Sequence, residues 1–207
     1  MTDRETIIVD HILASRTNTF LAFDLAAALP KAQHRLINQA LQALENRLRD
    51  QAYGQDAWIQ NTFDSGASEW PAPFAFKIRP THWPIDLVVA IAAERDHTRQ
   101  MSIGLHSDAE WPTIPQPALE ALDSVRPTRS RPYRHWPWWR WLECDYRHWT
   151  TRAALHAFMP SDEDARHTKA QAVQELFLIV DELIRAADPH LRVSDEHSEF
   201  RGADRNG

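Results

Sequence analysis

The stretch FAFKIRPTHWPIDLVVAIAAERDHTRQMSIGLH, residues 74–106, decides the fold class. Within it, Phe74, Phe76 and Ile78 alternate with other residues, which predicts a strand over Phe74–Arg79 with one face buried. Leu87–Ala93 is a near-continuous apolar run that reads as a second strand. Gln100–His106 alternates again and puts Met101, Ile103 and Leu105 on one side. Parallel neighbours need a crossover of a dozen or more residues. The links here are short, so an antiparallel meander follows.

Working outward from this stretch, Ala57–Phe63 reads as one more strand and Asp64–Pro73 as a loop. Before them lie three helical segments. Glu5–Ala14 places Ile8, Ile12 and Leu13 on one face, and Phe20–Leu29 is a short apolar helix expected to end at Pro30. Lys31–Asp50 carries Leu36, Ile37, Ala40, Leu41, Leu44 and Leu48 at helical spacing. On the C-terminal side, Pro112–Pro117 is a rigid connector and Ala118–Val125 a short helix. Arg126–Pro137 reads as irregular, and Trp138–Ala157 as helix or helix plus turn. A long helix is expected from a Ser161 cap to about Ala187, stopped by Pro189. The expected class is α+β. A helical domain would occupy residues 1–63, a small antiparallel sheet packed with C-terminal helices residues 74–190, and a disordered tail residues 191–207.

Composition narrows the chemistry. The 207 residues hold five glycines and no G-x-x-x-x-G-K or G-x-G-x-x-G pattern, which disfavours phosphate-cradling loops. Cys144 is the sole cysteine, so an internal disulfide and a cysteine-rich zinc site are both excluded. His148 follows it by one helical turn, the spacing a thiol and its base would need, but an inert buried cysteine is the plainer reading. No apolar run approaches the roughly 20 residues of a membrane helix. The charged start Met1–Glu5 lacks the apolar run of a signal peptide, so a cytoplasmic protein without membrane contact is expected. The net charge of −6 argues against coating nucleic acid by charge alone. Its distribution is uneven: Arg126–Arg152 holds seven arginines against Glu143 and Asp145.

Phe20–Asn46 reads FLAFDLAAALPKAQHRLINQALQALEN. Asp24, Leu25, Ala26 and Leu29 fill a D-L-A-x-x-L pattern, and Ile37, Ala40, Leu41, Leu44 and Glu45 fill I-x-x-A-L-x-x-L-E. The segment thereby resembles a winged helix-turn-helix DNA-binding domain, over residues 5–63, with Ala57–Phe63 as the wing strand. That resemblance implies a recognition helix whose front, Lys31, Gln33, His34, Arg35, Asn38, Gln39 and Gln42, would meet bases and phosphates. Pro30 without a glycine in the turn, and acids about equal to bases, depart from the family pattern. Plain helices rich in alanine and leucine also serve dimerisation, so a homodimer is the other expectation here.

Five of the nine tryptophans lie between Trp136 and Trp149. Tyr133, Trp136, Trp138, Trp139, Trp141, Tyr146 and Trp149 interleave with Arg131, Arg134, Arg140, Arg147 and Arg152. Aromatic faces stack on unpaired bases while guanidinium groups hold phosphate. The same residue types form protein-binding hot spots, for which Trp136, Trp138, Trp139 and Trp141 are the candidates. The alternative is that these tryptophans build the core.

Catalytic patterns are weak. Asp86 and Glu94 bracket one strand, and Asp96 stands where a metal-dependent nuclease would place lysine. Residues 74–187 also resemble the accessory region that follows the core of some bacterial PD-(D/E)XK nucleases, and that resemblance brings no catalytic residue. The histidines are dispersed and no metal or cofactor is expected. The expected function is therefore non-enzymatic: a bacterial or phage protein that binds DNA or a nucleoprotein complex. The alternatives are a protein-binding inhibitor or accessory subunit in phage–host conflict and, third, a nuclease relic.

Overall fold

The computed structural model describes residues 3–61, 74–94, 97–128, 131–143, 147–149, 151–160 and 170–192, with the backbone alone for residues 74, 75, 94 and 97–99. In chain order come α1 (Asp3–Leu13), α2 (Arg16–Leu48), a π-helical turn (Arg49–Tyr53), β1 (Ala57–Asn61), β2 (Phe74–Pro80), β3 (Leu87–Glu94) and β4 (His97–Ser107). They are followed by α3 (Gln116–Val125), β5 (Trp138–Trp141), α4 (Arg152–Phe158) and α5 (Gln171–Leu191). The class is α+β, as the strand and helix patterns predict.

The sheet is a five-stranded meander in the order β1-β2-β3-β4-β5, antiparallel throughout. Ile59 pairs Ile78, Ile78 pairs Val89, Val89 pairs Leu105 and Leu105 pairs Trp138, so one row of large apolar residues crosses the inner face. That face packs in a single cluster with α2, α3, α4 and α5. Helix α5 alone buries Val173, Leu176, Phe177, Val180, Leu183 and Ile184, each worth about 1.5–3 kcal/mol when taken fully out of water. The strand expected to be the wing, β1, is an edge strand of this same sheet.

Three sequence expectations change. Phe20–Leu29 and Lys31–Asp50 are not separate helices: α2 runs unbroken through Pro30 for 33 residues, about 50 Å at 1.5 Å per residue. Proline removes the hydrogen bond to the carbonyl of Ala26. Both residues lie on an exposed part of the helix, where solvent can satisfy that carbonyl. Ala26, Ala27, Ala28, Leu29 and Ala32 are the strongest helix formers and carry the helix across. The turn expected between the two helices is therefore absent. Ser15 starts α2, its side chain accepting from the Asn18 N–H at 3.1 Å.

The second change is at Trp138–Ala157. Trp138–Trp141 is strand β5, and the next α-helix among the described residues begins at Arg152. Aromatic residues favour a pleated surface, and the edge of β4 supplies hydrogen-bond partners that an isolated helix turn would lack. Helix α5 passes Pro189 by two residues, ending at Leu191. The Ser161 cap, Asp162–Asp164, Cys144, Tyr146, the loop 64–73 and the tail from residue 193 lie outside the described residues.

Candidate functional site

Helix α2 is anchored by its C-terminal half. Ile37, Ala40, Leu41, Leu44 and Leu48 face the core, which turns Lys31, Arg35, Gln39 and Gln42 outward as an exposed stripe. His34 is half-buried at its margin, whereas Gln33, also half-buried, lies in line with buried Ile37 and Ala40 on the other side of the helix. Asn38 leaves the stripe: its Oδ1 accepts from Asn61 Nδ2 at 3.1 Å, tying α2 to the edge strand β1.

The arginine–tryptophan segment divides between core and surface. Trp138 is buried and its Nε1 donates to Asp123 Oδ1 at 2.7 Å. Trp149 is fully buried, edge-on to Phe158 with ring centroids 5.1 Å apart. Trp139 and Trp141 meet edge to face at 5.1 Å on the opposite side of β5 and are half-buried. Trp139 Nε1 donates to the Arg131 carbonyl at 3.0 Å. The Arg147 guanidinium sits 4.8 Å from the Trp141 ring centroid and donates to Gln100 Oε1 at 2.9 Å. Arg140 is ion-paired with Glu143. Most of this chemistry is thus spent inside the protein, whereas Arg131 and Arg134 stay exposed.

Arg134 belongs to a more unusual arrangement. Tyr133 and Trp136 exchange backbone hydrogen bonds of 2.9 and 2.7 Å, closing a two-residue turn over Arg134 and His135. Arg134 has φ 40°, the left-handed value that glycine ordinarily supplies at the first central position of such a turn. Trp111, on the loop after β4, has φ 54°. Its N–H donates to the Arg134 carbonyl at 2.9 Å. Each such backbone costs of order 1–3 kcal/mol and persists only where neighbours enforce it. Enforcement is visible. The Ser107 N–H donates to the His135 carbonyl at 2.8 Å, and His135 Nδ1 donates to the carbonyls of Ser107 and Ala109 at 3.1 and 3.2 Å. Ser107 Oγ donates to Asp86 Oδ2 at 3.2 Å and accepts from the Ala109 N–H at 3.0 Å. Beneath the turn lies His106, 6% exposed, with its ring edge-on to Trp136 at 5.0 Å and stacked on His135 at 5.7 Å. Burial, with the positive charge of Lys77 next, lowers its pKa to about 4, so it is neutral at pH 7.

Both strained residues line a cleft of about 270 Å³, together with Pro112, Thr113, Ile114, Leu119, Pro132 and Pro137. Trp111 is 63% exposed at its mouth, Tyr133 is 59% exposed, and the Arg134 guanidinium lies 5.8 Å from the Tyr133 ring. Pockets for cofactors and drug-sized ligands run to roughly 300–1,000 Å³; this one suits one or two side chains. Sequence patterns point to Tyr133 and Arg134 within the arginine–tryptophan segment but not to Trp111. Its only local signal was a tryptophan directly before Pro112, in a polar loop.

Asp86 directly precedes β3, and Glu94 is the last residue of that strand. Among the described residues, no group of three or more His, Cys, Asp or Glu side chains is placed to hold a metal ion, and no helix is long and apolar enough to cross a membrane. Neither a known protein family nor any curated protein or solved structure matches this chain.

Proposed function

We propose that this chain is a non-enzymatic binding protein that takes a partner polypeptide at the Trp111–Arg134 cleft. The observation that carries this reading is the pair of hydrogen-bonded, left-handed, non-glycine residues that hold a tryptophan and an arginine at one apolar opening. Tryptophan, tyrosine and arginine dominate binding hot spots, and a preset backbone removes part of the ordering cost of association. The exposed acids Asp108 and Glu110 beside Trp111 disfavour a polyanion at this position. The test is affinity purification of the tagged full chain from its native host after nuclease treatment. A stoichiometric protein partner retained by the natural chain should be lost with Trp111→Ala or Arg134→Ala, a hot-spot loss of about 2 kcal/mol or roughly 30-fold in affinity. A partner bound equally by all three chains would refute the cleft as its site.

A second reading is binding of DNA or a nucleoprotein complex through α2. What favours it is the outward stripe Lys31, Arg35, Gln39 and Gln42 on a helix locked from behind. It requires a salt-sensitive mobility shift that Arg35→Ala weakens. Asn38, engaged with Asn61, takes no part in this version of the front.

A further inference from the structure

The N-terminal half of α2 and all of α1 form an arm that carries nine of the sixteen exposed large hydrophobic residues among the described residues. No residue of α1, and none from Arg16 to Leu36, is buried. Ile7, Ile8, Val9 and Leu13 of α1, and Phe20, Leu21, Phe23, Leu25 and Leu29 of α2, are 40–69% exposed. Between Phe20 and Leu29 the only polar residue is Asp24. A helix apolar on nearly every side belongs inside a larger packing unit.

We infer that a second copy of this chain covers the arm, with the two α2 helices antiparallel and crossing near Ala28. Three features of the arm select this occupant. The first is exposure: Leu21, Leu25 and Leu29, 54–63% exposed, lie along one side of α2, whereas Phe20 and Phe23 point away from it. The second is the seam. Leu21, Leu25, Ala28 and Ala32 follow the alternating four- and three-residue spacing of a coiled-coil stripe, and all four are exposed. A two-fold axis beside Ala28 sets each Leu25 opposite the second copy's Ala32, large against small, with alanines at the crossing for close approach. The third is charge. Asp24 and Lys31 lie on one flank of that seam, with Arg35 one turn beyond Lys31. In the antiparallel arrangement like flanks meet, and Asp24 falls between Lys31 and Arg35 of the second copy. A parallel pair would instead set this charged flank against the opposite flank, Ala22, Leu29 and Gln33, and leave Asp24 without an ion-pair partner. Charge complementarity therefore selects the antiparallel two-fold arrangement.

The experiment is sedimentation equilibrium or light scattering of the full chain at micromolar concentration, with three sets of variants. The natural chain should have twice the 23.9 kDa of a single copy. Leu25→Glu should halve the mass while leaving the far-ultraviolet circular dichroism and the thermal transition of the body in place, since Leu25 is exposed in the single copy. Asp24→Lys should weaken the dimer about tenfold or more, and adding Lys31→Asp with Arg35→Asp should restore it. With Cys144 replaced by serine, Ala28→Cys should form an intermolecular disulfide, whereas Leu21→Cys should not. A single-copy mass for the natural chain, a dimer untouched by Leu25→Glu, crosslinking at both cysteine positions, or a different protein seated on the arm in place of the second copy would each overturn the inference. The cleft is not involved: Trp111→Ala should leave the dimer intact.

Discussion

The Trp111 N–H donates to the Arg134 carbonyl at 2.9 Å, and both residues carry positive φ. Their strain is mutual, because each left-handed backbone is held in register by the other's loop. Glycine would occupy either position without strain, yet the chain places there two of the largest side chains it has. Arg134→Gly should therefore leave stability unchanged or raise it by up to about 1 kcal/mol, roughly 2–4 °C in a protein of this size. Partner binding at the cleft should fall at the same time. Thermal unfolding checks the first half and the purification described above checks the second. A marked loss of stability would show that Arg134 serves the fold rather than a partner.

Gly104 on β4 pairs with Trp139 on β5. A Cβ built at Gly104 would lie 2.4 Å from the Trp138 carbonyl oxygen and 2.7 Å from Trp139 Cα. Neither is a flexible side-chain end, so β5 must shift as a unit. Gly104→Ala should cost about 2–3 kcal/mol or more, within the range for overpacking a well-packed site. It should also change tryptophan fluorescence before global unfolding, because β5 carries three of the nine tryptophans. Urea unfolding followed by fluorescence and by circular dichroism tests both claims, and coincident, unshifted transitions would contradict them.

Much of the fold was legible because strand alternation is a short-range signal. Phe76, Ile78, Met101, Ile103 and Leu105 all point inward as their spacing predicts. The failures share a cause. Pro30 was read by its local habit, yet the helix crosses it because the alanines around it and the solvent beside it offset the missing bond. Trp138–Trp141 was read as helix because its strand character depends on an edge of β4 lying distant in sequence. The site was less legible still. Trp111 and Arg134 owe their role to a hydrogen bond across 23 positions and to φ values that no composition reveals. Asn38 has the amide of a base-reading residue, but its partner Asn61 lies 23 positions away in sequence and meets it only in the fold.

Asp188 on α5 fastens the β2–β3 connection to the helix layer. Trp83, 2% exposed, donates its Nε1 to Asp188 Oδ1 at 2.9 Å, and His82 bonds the same oxygen. Arg192, directly after α5, holds the other oxygen at 2.6 Å. Asp188→Ala leaves a buried indole N–H without an acceptor, which costs about 1–3 kcal/mol. Asp188→Asn keeps an acceptor for Trp83 and should recover about half of that loss. Denaturant titration of the two variants distinguishes the hydrogen bond from the charge; equal losses would assign the effect to the charge alone.

Acid should destabilise the protein in two separate windows. His106 has its pKa lowered from 6.5 to about 4, first by burial and then by Lys77, so the unfolded chain binds its proton at a pH where the folded chain does not. Stability from this residue is full above pH 6.5 and is lost as pH falls toward 4, by at most about 3 kcal/mol. For Asp188, burial opposes ionisation. Hydrogen bonds from His82, Arg192 and Trp83 outweigh it and lower the pKa from 3.8 to about 2. Its contribution is present above pH 3.8 and fades between there and 2. Urea midpoints measured from pH 7 to 4.5 should therefore decline in the natural chain and flatten in His106→Gln, whereas Asp188→Asn should keep the slope of the upper window. If His106→Gln retained the full decline, another group would own it, and the neutral histidine under the Tyr133–Trp136 turn would lose its place in the acid response.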